Sequence, residues 1–491
     1  MELETENDES SEASSFPELY RSLLFLIALY IAGDVLCGRF LRIVPSLVGQ
    51  IAAGVIFGPY ILDWVSLEWQ ILGEIGLVLL LCQAGLEMDF ETLQAIGPRG
   101  GIMAIVGSIL PMSIGFVLSY TVLNLELESA IAAGCSFGPT SAGIAMNVLD
   151  QCGVLKSKVG QLVVAIAIID DIFALVVLSQ LRALTGEAIT AASIAIPIVS
   201  AILWLVVGGM VALYVMPTIF EKLHALEHKL FGKIKGEDEN DADDVVEGTA
   251  ANEDQSSSLW HVGILLFALL PATFYSEASY LLGAFLAGLS ACREKNTADA
   301  YSQQLAKIIQ WLMRVFFGAS IAFEIPILLF DNGTVIGNGL ILSLSLLGKV
   351  MTGLLLTPVI AKDGRRWDWK HSRDCAIVGF SMAGEAEFAF LVAGFGLSEG
   401  LLSQEVYASV VFAILLSTIV SPVLLRTTLA LFPNKESNNA TAINVSENTP
   451  GLELSRCAEN RQEIETDLQA SESVGTSASN CGRGSTNDND M

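Results

Sequence analysis

The chain has 491 residues, of which 52% are hydrophobic and only 16% charged, and its formal net charge is −27. This composition lies far from that of a soluble domain and excludes one. The acidic excess sits in three polar segments (1–18, 236–254 and the tail after Pro433) whose Ser, Asn, Asp, Glu and Thr content reads as solvated disorder, so neither a cationic protein partner nor a nucleic acid is expected.

Apolar runs of about 20 residues, the length a helix needs to cross the hydrocarbon core, recur along the rest of the chain. They predict an all-α polytopic membrane protein of about 13 transmembrane helices. The spans fall near 20–43, 45–63, 69–88, 100–124, 128–149, 157–181, 188–220, 259–276, 278–292, 308–330, 335–361, 374–397 and 403–432. With the amino terminus outside, basic residues such as Arg39, Arg42, Lys156, Lys229 and Arg365 gather in inside loops, and the outside segments keep only Arg21 and Arg182. This agrees with the positive-inside rule. An odd count then puts the tail, 433–491, on the cytoplasmic side. The acidic amino terminus lacks a basic n-region, so no cleavable signal peptide is expected. The eight cysteines form no C-x-x-C pair, which suggests neither a disulfide framework nor a zinc site. No cofactor is implied.

Three spans carry interruptions. Gly54 to Pro59 lies near a span end and reads as an ordinary helix stop. Gly134 to Gly143 sits mid-span and contains Pro139, which removes a backbone hydrogen bond. Gly379 to Glu387 sits mid-span near the other end of the membrane region. These two lie in the fifth and twelfth spans, each flanked by a span on either side. Broken helices at corresponding positions of two halves point to a transport site.

Between them in the sequence, Asp170-Asp171 lies in the middle of an apolar run from Ala165 to Val176. Ionised carboxylates are expensive at that depth and mark ion paths or proton relays. Consecutive helix positions differ by about 100°, so one aspartate can face a cavity while the other faces a neighbouring helix. A carboxylate that holds either a proton or a cation, but not both, couples the two fluxes by competition. Lys349 lies well inside the eleventh span. Thr140 and Ser141 in the first break offer hydroxyl oxygens, which suit hard cations. Glu385 and Glu387 in the second break are accessory candidates. The plain alternatives are structural: hydroxyls that pack helices, carboxylates that satisfy a helix dipole, and a lysine that snorkels to the interface.

From Leu41 to Leu431 these pieces resemble the cation:proton antiporter-2 family, the Nha/Nap/Kef-like sodium or potassium/proton exchangers. Six motifs carry the resemblance in order: Pro45 to Gly54 with Gly58-Pro59; Gly73-Glu74-Ile75-Gly76 leading to Gly85-Leu86-Glu87; Thr140-Ser141; Gly160 followed by Asp170-Asp171; Gly348-Lys349; and Glu387-Phe388-Ala389-Phe390. One departure is Glu385-Ala386-Glu387, where many relatives have Arg-Gly-Glu. The resemblance implies an inverted-repeat fold with two broken crossing helices. It implies a scaffold (spans about 20–88 and 259–330), a moving core (about 100–181 and 335–432), a linker helix (188–220) and an acidic cytoplasmic loop (221–258). It further implies a homodimer in the lipid bilayer, Asp171 as main cation ligand, Asp170 as the partner of Lys349, and electrogenic exchange of Na+ or Li+ for H+. K+/H+ exchange on the same scaffold is the alternative. A channel would need a filter, an intramembrane aspartyl protease would need its aspartates on separate helices, and an ATP-driven pump would need a phosphate-binding loop. None of these is evident in the sequence.

Overall fold

Large apolar side chains such as Ile71, Ile102, Val199 and Phe267 stand exposed on the outer surface. A helix in lipid needs no polar outer face, and its backbone groups must be satisfied internally, so the membrane segments among the described residues are helices. The computed structural model describes residues 2–41, 44–88, 90–183, 191–220, 222–223, 246–356 and 369–432. The tail 433–491, the loop stretch 224–245 and the loop positions Arg42, Lys229 and Arg365 lie outside the described residues, as does the side chain of Arg182.

The helices run in order as α1 (Glu2–Tyr30, continued by wider π-type turns over Ile31–Leu41), α2 (Ser46–Phe57), α3 (Trp69–Leu86), α4 (Phe90–Thr121), α5 (Leu127–Cys135), α6 (Ala142–Gln151), α7 (Lys158–Ala183) and α8 (Ala191–Leu203). They continue as α9 (Val246–Tyr275), α10 (Tyr280–Ala291), α11 (Lys295–Val315), α12 (Gly333–Leu342), α13 (Leu346–Thr352), α14 (Trp369–Met382), α15 (Glu387–Ser398) and α16 (Gln404–Leu431). Among the described residues nine helices are long and apolar enough to cross a membrane. Three shorter apolar helices, Ser46–Phe57, Leu259–Tyr275 and Tyr280–Ala291, occupy further predicted spans. The remaining predicted span, 128–149, is the broken pair α5 and α6. Several helices begin ahead of their predicted spans: α1 at Glu2, inside a segment read above as disordered, α4 at Phe90, α9 at Val246 and α11 at Lys295. Each prolongs a membrane helix, and propagating a helix costs less than nucleating one.

Two packed groups position the site. In the first, α3 lies against α10 and α11, α10 against α9, and α1 against α2. In the second, α4 packs on α5, α7 and α13, while α16 packs on α12, α14 and α15. Helix α8 leaves the second group along α7, and its continuation meets α10. Glycine permits the closest approach in the first group. A methyl group on Gly288 of α10 would run into the carbonyl of Cys82 on α3, and one on Gly85 of α3 would run into the carbonyl of Phe285. Such small-residue contacts let membrane helices touch backbone to backbone. The same group holds a half-buried charge pair: Arg314 Nε donates to Asp34 Oδ2 at 2.7 Å, and the guanidinium lies 4.5 Å from the Trp311 ring centre. Asp34 is thus spoken for by another helix and holds a structural place.

Gly288→Leu is expected to pry α10 from α3 and cost at least about 1–3 kcal/mol through overpacking. A lowered melting temperature of the purified protein in detergent checks this; an unchanged one would contradict the close approach.

Candidate functional site

The sequence of the two breaks dictates their geometry. Helix α5 stops at Cys135, and Gly138-Pro139 cannot continue it, so the chain passes through a turn at 136–138 and stays non-helical until Ser141 caps α6 by accepting from the Ile144 N–H. Helix α14 stops at Met382, and Ala383-Gly384-Glu385-Ala386 passes to α15. The two breaks cross. The Ser141 N–H donates to the Gly384 carbonyl at 2.7 Å, and the Thr140 hydroxyl donates to the Met382 carbonyl at 3.2 Å. Helix α16 satisfies two further carbonyls of the second break region, with Thr418 donating to Glu385 O at 2.6 Å and Ser421 to Phe380 O at 2.7 Å. Irregular backbone at membrane depth is tolerated where its polar groups find such partners. The crossing also brings two helix N-termini, α6 and α15, to the site, each carrying partial positive charge.

The charged side chains meet around this crossing. Asp170, in the middle of α7, is fully buried and accepts a short hydrogen bond from the Ser108 hydroxyl on α4. Thr140 approaches it from the first break. Asp171 points to another side and is partly exposed, within electrostatic reach of Asp170, Glu387 and Lys349. Lys349 on α13 is fully buried. Its Nζ donates to the Pro139 carbonyl and, at 3.1 Å, to Thr140 Oγ1. It stands 3.6 Å from Glu385 Oε1, and Glu385 is itself fully buried. Ser141 Oγ lies 3.5 Å from Glu387 Oε2 at the start of α15.

The structure therefore brings Asp170, Asp171, Lys349, Thr140, Ser141, Glu385 and Glu387 into one cluster. The pairing differs from the one the resemblance implies: the carboxylate within ion-pair distance of Lys349 is Glu385, and Asp170 acts on it at longer range. The reason is local. Glu385 occupies the second break directly beside the carbonyls that hold the ammonium, whereas Asp170 is drawn to Ser108. Thr140 is engaged as well, giving its proton to Met382 O and one lone pair to Lys349, which leaves one lone pair for a further partner.

A cavity of about 650 Å³ opens between the two helix groups. Asp34, Gln50 and Arg314 line it on one side, and Asn147, Glu387 and Arg426 on the other. Glu387 is the one member of the cluster that fronts it; the aspartates lie behind. Ser108, Thr418 and Ser421 were not singled out from the sequence. Their only signal is a hydroxyl within an apolar span, a feature shared with many residues that merely pack helices.

A bundle of membrane helices with two broken helices crossing at a buried charged cluster is the architecture of a secondary transporter. Comparison with known proteins agrees. The family model for the transmembrane sodium/hydrogen exchanger matches residues 23–235 and 243–431. The Na(+)/H(+)-K(+) antiporter GerN of Bacillus cereus is 26% identical over 423 residues, which span 84% of this chain and 96% of that protein. The high-affinity Na(+)/H(+) antiporter NhaS3 of Synechocystis sp. is 25% identical over 364 residues, 72% of this chain and 70% of that protein. The solved structure of the sodium proton antiporter MjNhaP1 from Methanocaldococcus jannaschii has the same fold. Its TM-score is 0.56 at 17% identity, and the match covers 84% of this chain and 97% of that one. The chain belongs to the sodium/hydrogen exchanger family. It is an integral multi-pass membrane protein and a secondary transporter that exchanges monovalent cations for protons.

The hydrogen bond from Ser108 is charge-assisted when Asp170 is ionised, and such bonds contribute roughly 1.5–3 kcal/mol. Ser108→Ala should therefore weaken apparent cation affinity by roughly tenfold or more. The half-maximal cation concentration for proton flux reads this directly, and no shift in a well-inserted variant would remove Ser108 from the site.

Proposed function

We propose that the chain exchanges Na+ (or Li+) for H+ by competition of cation and proton for a site built on Asp170 and Asp171. The observation that carries this reading is the pair of adjacent carboxylates in mid-membrane, Asp170 fully buried and Asp171 partly so, beside the crossing breaks and a cavity fronted by Glu387. Asp171 is the main cation ligand, with Asp170 beside it. Ser141 and the remaining lone pair of Thr140 offer neutral oxygens of the kind hard cations take. Glu387 stands on the path from the cavity and passes ions and protons inward.

The positive-inside pattern supports placing the end that carries Arg314 and Arg426 in the cytoplasm, together with the tail. The cavity then corresponds to a state open to the cytoplasm. Alternating access would follow from a rigid-body shift of α4–α7 and α12–α16 against α1–α3 and α9–α11, as in transporters built from repeats. The homodimer implied by the resemblance is part of this reading.

K+/H+ exchange is the second reading, favoured by the likeness to GerN, a Na(+)/H(+)-K(+) antiporter. Carboxylate and hydroxyl oxygens serve both ions.

Asp171→Asn should abolish exchange, because an amide cannot shed a proton. Proton flux in proteoliposomes, with Na+, K+ or Li+ added in turn and the membrane potential clamped, tests both points. Cation-dependent flux that disappears in D171N supports the site and identifies the ion. Undiminished flux in D171N, or none with any ion in the wild type, would sink the reading.

A further inference from the structure

One carboxylate of the first helix group reaches across to the second. Helix α11 continues through wider π-type turns (Phe316–Ile321) and a short tight turn (Ala322–Glu324). Ile325, held extended ahead of Pro326, ends the stretch there. Ser320 pins the stretch to α3 by donating to the Gln70 carbonyl at 2.9 Å. Glu324 then rests on α15 of the second group: a methyl group on Gly394 would stand 2.7 Å from Glu324 Oε2. Gly394 lies two turns beyond Glu387, about 10 Å further along the same face of α15. Glu387 fronts the cavity, and Leu391, one turn from each, is an apolar side chain on that face packed into the core.

Tyr407 lies one turn into α16, at the end of the group where α15 stops at Ser398. Its side chain is fully buried, and its hydroxyl has no hydrogen-bond partner. Such groups are rare, because burial removes the water that would serve them. The hydroxyl is within electrostatic reach of Glu324. Glu74 of α3, an exposed carboxylate, is within reach of Glu324 too. No ion pair among the described residues includes Glu324 or Glu74. Two carboxylates and a phenol oxygen thus gather with no basic side chain paired to them. Such a point draws cations in and offers them the hard oxygen ligands they take. Calcium and magnesium demand fuller oxygen shells than one close carboxylate and one hydroxyl provide.

We infer that Glu324 and the Tyr407 hydroxyl form a second site for the transported monovalent cation, on the face of the membrane opposite the cavity. The inference rests on the exchange reading above. Glu324 supplies the charged ligand, Tyr407 a neutral oxygen that nothing else uses, and Glu74 adds attraction at longer range. Glu324 belongs to one helix group and Gly394 and Tyr407 to the other, so the site lies on the boundary that a shift of the groups opens. Glu387 meets the ion on the cavity side of Leu391, and Glu324 meets it on the other.

The test measures apparent cation affinity on each face separately. Full-length protein is reconstituted at low density. Vesicles of one orientation are captured through a tag on the carboxyl terminus, which the reading above places with the cavity. Proton flux is followed with Na+ on one face at a time, or K+ if that is the ion the wild type takes. E324Q is expected to raise the half-maximal cation concentration on the face away from the cavity by roughly tenfold, the effect of one lost charge-assisted contact. The value on the cavity face should stay that of the wild type. Y407F keeps the ring, and it should raise the far-face value by a smaller factor. An equal shift on both faces in E324Q would mean that Glu324 acts through the aspartates or the fold, and the inference would fall. It would fall as well with no shift on either face, which would leave Glu324 a packing residue against Gly394. If E324Q does not fold, Y407F decides: it removes only a hydroxyl that bonds nothing, and an unchanged far-face value would overturn the inference. The exchange reading fails separately, through a wild type without cation-dependent flux from either face.

Discussion

Everything at the site depends on the crossing of two helix breaks. A broken helix exposes amide and carbonyl groups that hydrocarbon cannot satisfy. Here each break answers the other: Ser141 N–H bonds the Gly384 carbonyl, and Thr140 bonds Met382 O. Helix α16 completes the set with Thr418 and Ser421. The backbone dipoles left over are not waste. The Pro139 carbonyl holds an ammonium, and the N-termini of α6 and α15 face the carboxylates. Without the crossing, neither the lysine nor the acids could be kept at this depth.

The second constraint is charge. Asp170, Asp171, Glu385 and Glu387 surround a single lysine, so the fully ionised cluster would carry a large negative excess in a medium that screens poorly. Protons or cations must make up the difference, which is what an exchanger of the two requires. The helix groups divide this labour. The α1–α3 and α9–α11 group is held by close glycine contacts between α3 and α10 and by the Arg314–Asp34 pair, and contributes walls to the cavity. The α4–α7 and α12–α16 group contributes all the charged groups of the cluster itself.

Much of the architecture was legible in the sequence because lipid makes strict demands. A span needs its length of apolar residues, so the nine long helices appear where hydropathy puts them, and Pro139 marks the first break by chemistry alone. Asp170-Asp171 stood out because charge is costly at mid-span. Ser108 did not, since a serine in an apolar helix is cheap and common, and only its distance from Asp170 gives it meaning. The departure at Glu385 was visible as a change of sign, but its partner was not.

What the sequence determined by itself, then, was the set of things that depend on local composition: a helical membrane protein, the positions of its spans and breaks, and the residues too expensive to be there by accident. The tertiary structure decided the pairings. Lys349 lies on α13 and Glu385 in the break after α14, and sequence separation does not say which of several buried acids will reach an ammonium. The crossing of the breaks sets that distance, because it places the Pro139 carbonyl, Thr140 and Glu385 around one point, while Asp170 takes its hydrogen bond from Ser108. Electrostatic energy falls off with distance and rises steeply as water is excluded, so at this site a few ångströms decide which charge belongs to which.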